Sequence, residues 1–596
     1  MWLIAVTALG AGLSAAAPVT YARDIAPLIA DRCAMCHRPG GPAPFNLLTF
    51  DDIRARAGQI AEVTSRRLMP PWKVDLDDGP FVGQRALGDA EIALIRRWVD
   101  AGSPEGDSRD LPPPRRWPEG WQLGTPDLIV SLSEPYPLQA EGSDVFRIFV
   151  LPVEIGSRRF VRGLEFRPGN ARVVHHANIR VDRTRASRAF DEADPGPGYS
   201  GLIGQSAEYP DGYFLGWTPG QVAPLVPDGL AWPLDPPVDL VVEIHMQPSG
   251  KREAVQPSIG LYFGERPSGR APVMLRLGRQ GIDIPAGERG YTIEDEYLLP
   301  VDVEVLALQP HAHYRARDVR GEAILPDGTV RRLLHIGDWD FRWQHVYRFV
   351  APLQLRKGTK VTMHYVYDNS PDNIRNPEHP PKRARWGQRS ADEMGDLWIQ
   401  VLTRTDADRE KLAREFRRKA LAEDVVGYEM EIARHPDDAA LRDTAALLYL
   451  ELDRPDRAVE HFVRSLASKP QSAAAHFNVG TALSLARRLD DAARELEEAV
   501  RLDPAYIKAH QNLGNVWLAQ GRTDAAVSEF ETVVRLAPDS VEALMNLAAA
   551  YARASRFEHA ISTAGRALRL SPPEPIAAEI RRRLELYARR TEPRFD

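Results

Sequence analysis

Between residues 439 and 572 the chain repeats itself every 34 residues. Counted from Ala439, Ala473, Ile507 and Val541, position 20 is Ala458, Ala492, Ala526 and Ala560, and position 32 is Pro470, Pro504, Pro538 and Pro572. Gly480 and Gly514 fill position 8 of the middle two repeats. A unit of this length is a helix pair that buries its apolar face only against its neighbours, so the array must stack into a superhelix with a concave surface. A charged, helical connector (405–438) leads into the array, and residues 573–596 read as a capping helix and tail.

The pattern resembles four tetratricopeptide repeats. Their concave face would hold a partner's peptide or helix; an appendage that stabilises or dimerises the chain is the alternative reading.

A chain of 596 residues is too long for one core, and three to five domains are expected. A formal charge of −7 and the lack of any basic run give no reason to expect nucleic acid. Residues 1–17 form an apolar stretch that ends in Ala15-Ala16-Ala17-Pro18, the small-residue pattern of a signal peptide, although no Lys or Arg precedes it. Export is expected, to a bacterial periplasm, with no transmembrane anchor left after cleavage because no later run reaches the ~18 apolar residues of a span. Both cysteines lie in Cys33-Ala-Met-Cys36-His37, so no disulfide framework is available.

Cys-x-x-Cys-His is the attachment motif of c-type haem: two thiols bind the macrocycle and the adjacent histidine is placed to ligate iron. Residues 18–106 therefore read as a small helical haem domain holding one covalent haem through Cys33, Cys36 and His37. Arg67-Leu-Met69-Pro70-Pro71-Trp72 offers Met69 as sixth ligand in a loop stiffened by two prolines. Met/His ligation raises the haem potential and suits an electron carrier; a core methionine is the bland alternative. A helix over 89–101 would close the pocket. The stretch resembles cytochrome c-like domains that carry a Met-Pro-Pro-Trp motif. A Pro-rich linker (107–121) follows.

From 122 to 404 short β-type runs alternate with Gly, Pro, Asn and Asp, which predicts two tandem antiparallel β-sandwiches of jelly-roll type, 122–265 and 266–404. Scattered through them are His175, His176, His245, His311, His313 and Met394. Five imidazoles and a thioether make sense together around metal, and the thioether, a soft ligand, favours Cu(I). On a regular strand Val303, Val305, Ala307, Gln309, His311 and His313 share one face, so both imidazoles can reach one ion. A pair of solvent-exposed or hydrogen-bonded histidines is the alternative. His175 and His176 would point to opposite faces unless a bulge or strand end intervenes. His245 shares a face with Val241 and Glu243, and could instead be a buried histidine bonded to that carboxylate. His335, His345, His364 and His379 read as structural; His335 and His345 flank Trp339-Asp-Phe-Arg-Trp343-Gln, which reads as an aromatic core strand. The Gly/Pro/aromatic stretch 194–229 is a candidate pocket wall or an ordinary surface excursion.

In order, His-His, His, His-x-His and Asp-Glu-Met, with Tyr367-Asp-Asn-Ser and Asn376-Pro upstream of the methionine, resemble the copper type II, ascorbate-dependent monooxygenases, the family of peptidylglycine α-hydroxylating and dopamine β-monooxygenases. The resemblance implies two coppers. His175, His176 and His245 would hold the electron-storing ion; His311, His313 and Met394 would hold the ion where O2 meets substrate. It also marks departures: this chain lacks the family's disulfides, and Gln309 stands where the peptide-amidating enzyme grips a carboxylate with arginine, so a peptide C-terminus is not the expected substrate. Asp396 and Trp398 replace the Asn and Tyr that follow the methionine there.

The expected function is thus an exported, haem-linked dicopper monooxygenase that hydroxylates a C–H bond of an organic substrate with O2. The haem would feed the electron-storing copper, an electron-donor protein or small reductant would feed the haem, and ascorbate would be optional. The alternative is a non-catalytic copper and haem electron-transfer scaffold that docks redox partners through its repeats.

Overall fold

The computed structural model describes residues 18–41, 43–75, 79–115, 120–142, 144–200, 203, 206–210, 212–219, 221, 229–267, 269–387 and 389–590. The expected signal stretch 1–17 therefore lies outside the described residues, as do 116–119 of the linker and parts of 194–229. Two compact units divide between Phe416 and Arg417.

The first unit opens with a π turn (Tyr21–Ile25) and helices α1 (Ala26–Arg32), α2 (Phe50–Arg54), α3 (Ala57–Ser65) and α4 (Asp89–Asp100). Helix α2 starts at a capping box in which Thr49 and Asp52 each bond the other's backbone N–H. Helix α4 buries Ile95 and Trp98 against Ile25 and Ile29, forming a small core that includes the flank of Cys33. Gly102, at φ +83°, lets the chain turn just after α4 ends.

A β-rich region follows. Its first half contains β1 (Leu128–Ser131), β2 (Tyr136–Leu138), β3 (Val145–Val153), β4 (Arg159–Arg167), β5 (Val174–Asp182), the short helix α5 (Arg188–Ala193), β6 (Ala207–Glu208), β7 (Gly216–Trp217), β8 (Trp232–Leu234), β9 (Val238–Met246), β10 (Glu253–Val255) and β11 (Ser258–Gly264). One antiparallel sheet runs β1-β11-β4-β8, and a second runs β3-β9-β5-β6 with β7 also on β5. Phe149, Ile179 and Ile244 of the second sheet pack with Leu164, Phe166 and Ile259 of the first in one apolar core. Burying those alternate residues leaves the opposite face of β9 to carry Glu243 and His245.

The second half contains β12 (Val273–Gly278), β13 (Asp283–Ile284), β14 (Arg289–Leu298), β15 (Val303–Ala312), β16 (Ala316–Ile324), β17 (Val330–Ile336), β18 (Tyr347–Leu355), β19 (Lys360–Asp368), β20 (Ala384–Arg385) and β21 (Gly395–Leu402). Its two main sheets run β12-β21-β15-β18 and β14-β19-β16-β17. They approach closely at Gly395, where a Cβ would collide with the Tyr367 hydroxyl and Ile293. The Tyr365 hydroxyl donates to the Asp396 carbonyl at 2.7 Å across the same gap.

Two sequence expectations are corrected here. β15 bulges between Val305 and Ala307, so Val305 pairs with Val401 whereas Ala307 pairs with Gln400. Adjacent residues of β21 face opposite ways; the single face expected from Val303 to His313 is therefore broken, and only 307, 309 and 311 continue together. The aromatic segment 337–346 is a loop, not a strand. Asp340 makes it turn by accepting the Arg342 N–H at 3.1 Å, while Trp339 and Phe341 are still buried.

Helix α6 (Asp406–Arg434) contains the division between the units. The second unit continues with four helix pairs: α7 (Ala439–Glu451) with α8 (Pro455–Leu466), α9 (Ala473–Leu485) with α10 (Leu489–Leu502), α11 (Ile507–Ala519) with α12 (Thr523–Leu536), and α13 (Val541–Arg553) with α14 (Phe557–Arg569). A final helix, α15 (Glu574–Ala588), packs on α14. Ala458, Ala492, Ala526 and Ala560 are all fully buried where each pair meets, which is why position 20 stays small. Among the described residues no helix is long and apolar enough to cross a membrane.

Candidate metal centre

The register of three strands builds the first half-site. Phe146 of β3 pairs with His245 of β9, and His245 pairs with His176 of β5, so the three rings form one cross-strand row. A bulge between Val174 and His176 leaves His175 without a partner on β9. It supplies the irregularity that two adjacent histidines need to reach one place. Ring centroids lie 5.0 Å apart for His175 and His245, and 4.9 Å for His176 and His245. Imidazoles ligating one ion at about 2.0 Å have centroids on the order of 5 Å apart. Phe146 stacks on His245 at 4.3 Å, nearly parallel.

The donor atoms are informative. Nδ1 of His175, of His176 and of His245 is in each case buried without a hydrogen-bond partner. Such orphaned nitrogens are costly unless a ligand completes them. His245 is oriented from behind: its Nε2 bonds Asp144 Oδ2 at 2.8 Å, not the Glu243 carboxylate, which takes Asn178 instead. The bond to His245 holds the Asp144 carboxyl below the usual carboxylate range despite partial burial. Burial and the neighbouring His245 push His175 down to about 4, and burial takes His176 well below its ordinary value. Both are neutral at physiological pH, the form that binds metal. As the side chains stand, no group of three or more His, Cys, Asp or Glu among the described residues converges to hold an ion. The spacing suits one ion, but the rings must turn to aim at it.

The second half-site lies on β15 and β21. Ala312 pairs with Gly395, which sets His313 opposite Met394 just beyond the ladder. The His311 and His313 centroids are 5.3 Å apart. Each ring is anchored through Nδ1, His311 by Gln344 Oε1 and His313 by the Asp392 carbonyl at 3.1 Å. Burial pushes His313 down to about 3. Glu393, fully buried, ties this corner together by accepting the backbone N–H groups of His313 at 2.6 Å, Met394 at 3.0 Å and Arg315 at 3.0 Å. Burial still raises its carboxyl to about 7.

Phe341 joins the halves. Its ring centroid is 6.0 Å from His176, 6.0 Å from His245 and 5.4 Å from His313. Beside it a cavity of about 40 Å³ is lined by both His176 and His311, together with Asn178, Thr218, Gln309 and Gln344. Thus the described part of 194–229 does form a pocket wall, at 216–218 and Gln221. No charged side chain lines this cavity among the described residues.

In Cys33-Ala-Met-Cys36-His37 the two cysteines form no disulfide, and burial pushes Cys33 up to about 12. The His37 Nδ1 lies 3.1 Å from the Phe45 carbonyl, and burial keeps its pKa low. An imidazole held at Nδ1 leaves its Nε2 for another partner. The Met35 sulfur takes a contact from Arg85 at 3.6 Å. Met69 is 39% exposed, so the structure does not bury its thioether against the Cys33–His37 turn. The next residues reach the second half of the β-rich region: Trp72 stacks over His345 at 6.3 Å and meets Tyr347 edge-on at 5.4 Å.

His335 and His345 prove to be linkers between elements. His335 bonds Asp75 and Asp318, each at 2.7 Å. His345 bonds Thr218 Oγ1 at 2.8 Å and the Pro71 backbone. The His364 Nε2 lies 3.6 Å from Glu294 Oε1. Sequence reasoning gave no site role to Asp144, Phe341, Gln344 or Glu393, although Phe341 and Gln344 lie in the segment read as aromatic core and Glu393 in Asp-Glu-Met394.

Tetratricopeptide repeat models match residues 444–507 and 512–575, and a second such model matches 483–535. The C-terminal array consists of tetratricopeptide repeats. Similar solved structures include the crystal structure of MamA, 19% identical, covering 27% of this chain and 93% of its own, with a TM-score of 0.25. YrrB, titled a TPR protein with an unusual peptide-binding site, is 21% identical over 28% of this chain and 84% of its own, also at 0.25. A MamA fragment from Desulfovibrio magneticus RS-1 is 20% identical over 26% and 91%, at 0.23. No curated protein matches the chain.

Proposed function

We propose that the chain is an exported, haem-linked dicopper monooxygenase that hydroxylates a C–H bond of a small organic substrate with O2. The observation that carries this reading is the set of three buried, unpartnered Nδ1 nitrogens on His175, His176 and His245, facing His311 and His313 across Phe341. When bound, the coppers and haem would supply the electrons and O2 activation that hydroxylation requires. His175, His176 and His245 would hold one copper through Nδ1. His311 and His313, anchored at Nδ1, would hold the other through Nε2 with the Met394 sulfur, a ligand that favours Cu(I). Cys33, Cys36 and His37 would carry the haem, and Met69 would have to move inward to serve as its sixth ligand.

The protein's own groups have separable tasks. Asp144 fixes the ring of His245, and Gln344 that of His311. Glu393 holds the backbone on which His313 and Met394 sit. Phe146 and Phe341 exclude water from the rings. Amide and hydroxyl groups line the cavity, which suits an uncharged polar substrate. The loop at Pro71 and Trp72 bears on His345, which also bonds Thr218 just beyond β7; the haem would feed the His175, His176 and His245 copper, which would pass electrons on to the second. The repeats would recruit a protein partner, such as the electron donor, on their concave face.

Stopped-flow mixing of the reduced full chain with O2 tests the reading. Copper should accelerate haem reoxidation; equal rates with and without copper would exclude the internal link. Protein that binds copper yet consumes no O2 across a broad substrate screen would favour the electron-transfer scaffold.

A further inference from the structure

A second cavity, about 20 Å³, lies between the two β domains and is lined by Leu164, Tyr213 and Trp232 of the first and by Arg348 and Gln400 of the second. Arg348 is half-buried in β18, and its guanidinium has no hydrogen bond or ion pair among the described residues. Burial pushes its pKa down to about 10. Tyr213 is 5% exposed, and its buried hydroxyl also lacks a partner. Gln400 already gives its Nε2 to the Gly212 carbonyl at 2.6 Å, fixing its amide in the wall. A partly buried guanidinium beside a buried, unpartnered hydroxyl forms a pair of donors whose charge and hydrogen bond an anion would complete.

We propose that this cavity binds a small monoanion, with the Arg348 guanidinium as counter-charge and the Tyr213 hydroxyl as second donor. At about one to two water-sized positions the space fits chloride or the head of a carboxylate, and excludes bulkier anions. The site is separate from the histidine cavity: Tyr213 to Leu215 line this one, whereas Gly216 to Thr218 line the other. Its occupant would bridge the two β domains beside the segment that walls the histidine site.

The test is the thermal unfolding of the full chain in chloride, formate or acetate at constant ionic strength, with gluconate as the excluded reference anion. In the wild type, Tm should rise saturably with at least one of the small anions. A stronger response to chloride assigns a free ion; a stronger response to formate or acetate assigns the carboxylate of an organic ligand. Arg348→Met should abolish the anion-specific rise while keeping the same copper content, which separates this cavity from anions bound at metal. Tyr213→Phe, which keeps the ring packing, should raise the half-saturating concentration roughly 3- to 10-fold. The proposal is overturned if small anions do no more than gluconate, or if the rise survives in Arg348→Met. Should Arg348→Met fail to fold, an unshifted half-saturation in Tyr213→Phe overturns it.

Discussion

Replacing Asp144 by asparagine should weaken copper at the first half-site roughly 10-fold and leave the second nearly unchanged. The Asp144 carboxylate takes the Nε2 of His245 at 2.8 Å, and among the described residues no other hydrogen bond holds that fully buried ring. With a proton on Nε2, Nδ1 keeps its lone pair for metal, and the charge behind the ring makes that lone pair more basic. Asparagine is nearly isosteric and can still accept the bond through its carbonyl. It loses the difference between a charge-assisted and a neutral hydrogen bond, about 1–2 kcal/mol, or roughly 5- to 30-fold in affinity. Alanine removes the support altogether and approaches roughly 100-fold. The Tyr314 hydroxyl also donates to Asp144, at 3.2 Å, so a small change at the second half-site is expected. Competition for Cu(I) against a chromophoric chelator, with the second half-site disabled by His311→Ala/His313→Ala, reads the affinity directly. Asp144→Asn and Asp144→Ala both within about 3-fold of the parent would refute the idea that this carboxylate orients a ligand.

Three further outcomes follow from the geometry. His345→Phe keeps an aromatic ring beside Trp72 but loses the bonds to Thr218 and Pro71; haem reoxidation by the copper-loaded protein should slow while copper content stays constant. Burial lowers the pKa of His335, but Asp318 and Asp75 outweigh it and hold it above 6.5. Their contribution is full below pH 6.5 and lost as pH rises through the raised value, so Tm should fall over that window in the wild type and not in His335→Gln. Gly514→Leu would drive a side chain into the buried Phe530 ring, whose Cζ lies 2.8 Å from where a Cβ would sit. Overpacking of this kind costs about 1–3 kcal/mol, and the loss should appear in the unfolding of the repeats while copper binding is unaffected.

The repeats were legible to the residue because each position recurs in the same environment: Ala458, Ala492, Ala526 and Ala560 are buried alike, and the helix limits follow the 34-residue count. The β strands were legible as runs, but their irregularities were not. The bulge that re-aims His175 and the one that breaks the face of β15 arise from pairing with β9 and β21, partners distant in sequence. Trp339 and Phe341 looked like a strand because burial and β-propensity share the same residues; the Asp340 turn decides otherwise. Asp144 carried no signal, since it sits in a loop and acquires its meaning only from His245, 101 residues away.

The most direct test is the copper content and electron paramagnetic resonance spectrum of the full chain after loading and dialysis. Two coppers per chain are expected, one lost in His175→Ala/His176→Ala and the other weakened in Met394→Ala. Fewer than two, or two that persist in both variants, would contradict a dicopper centre built from these residues.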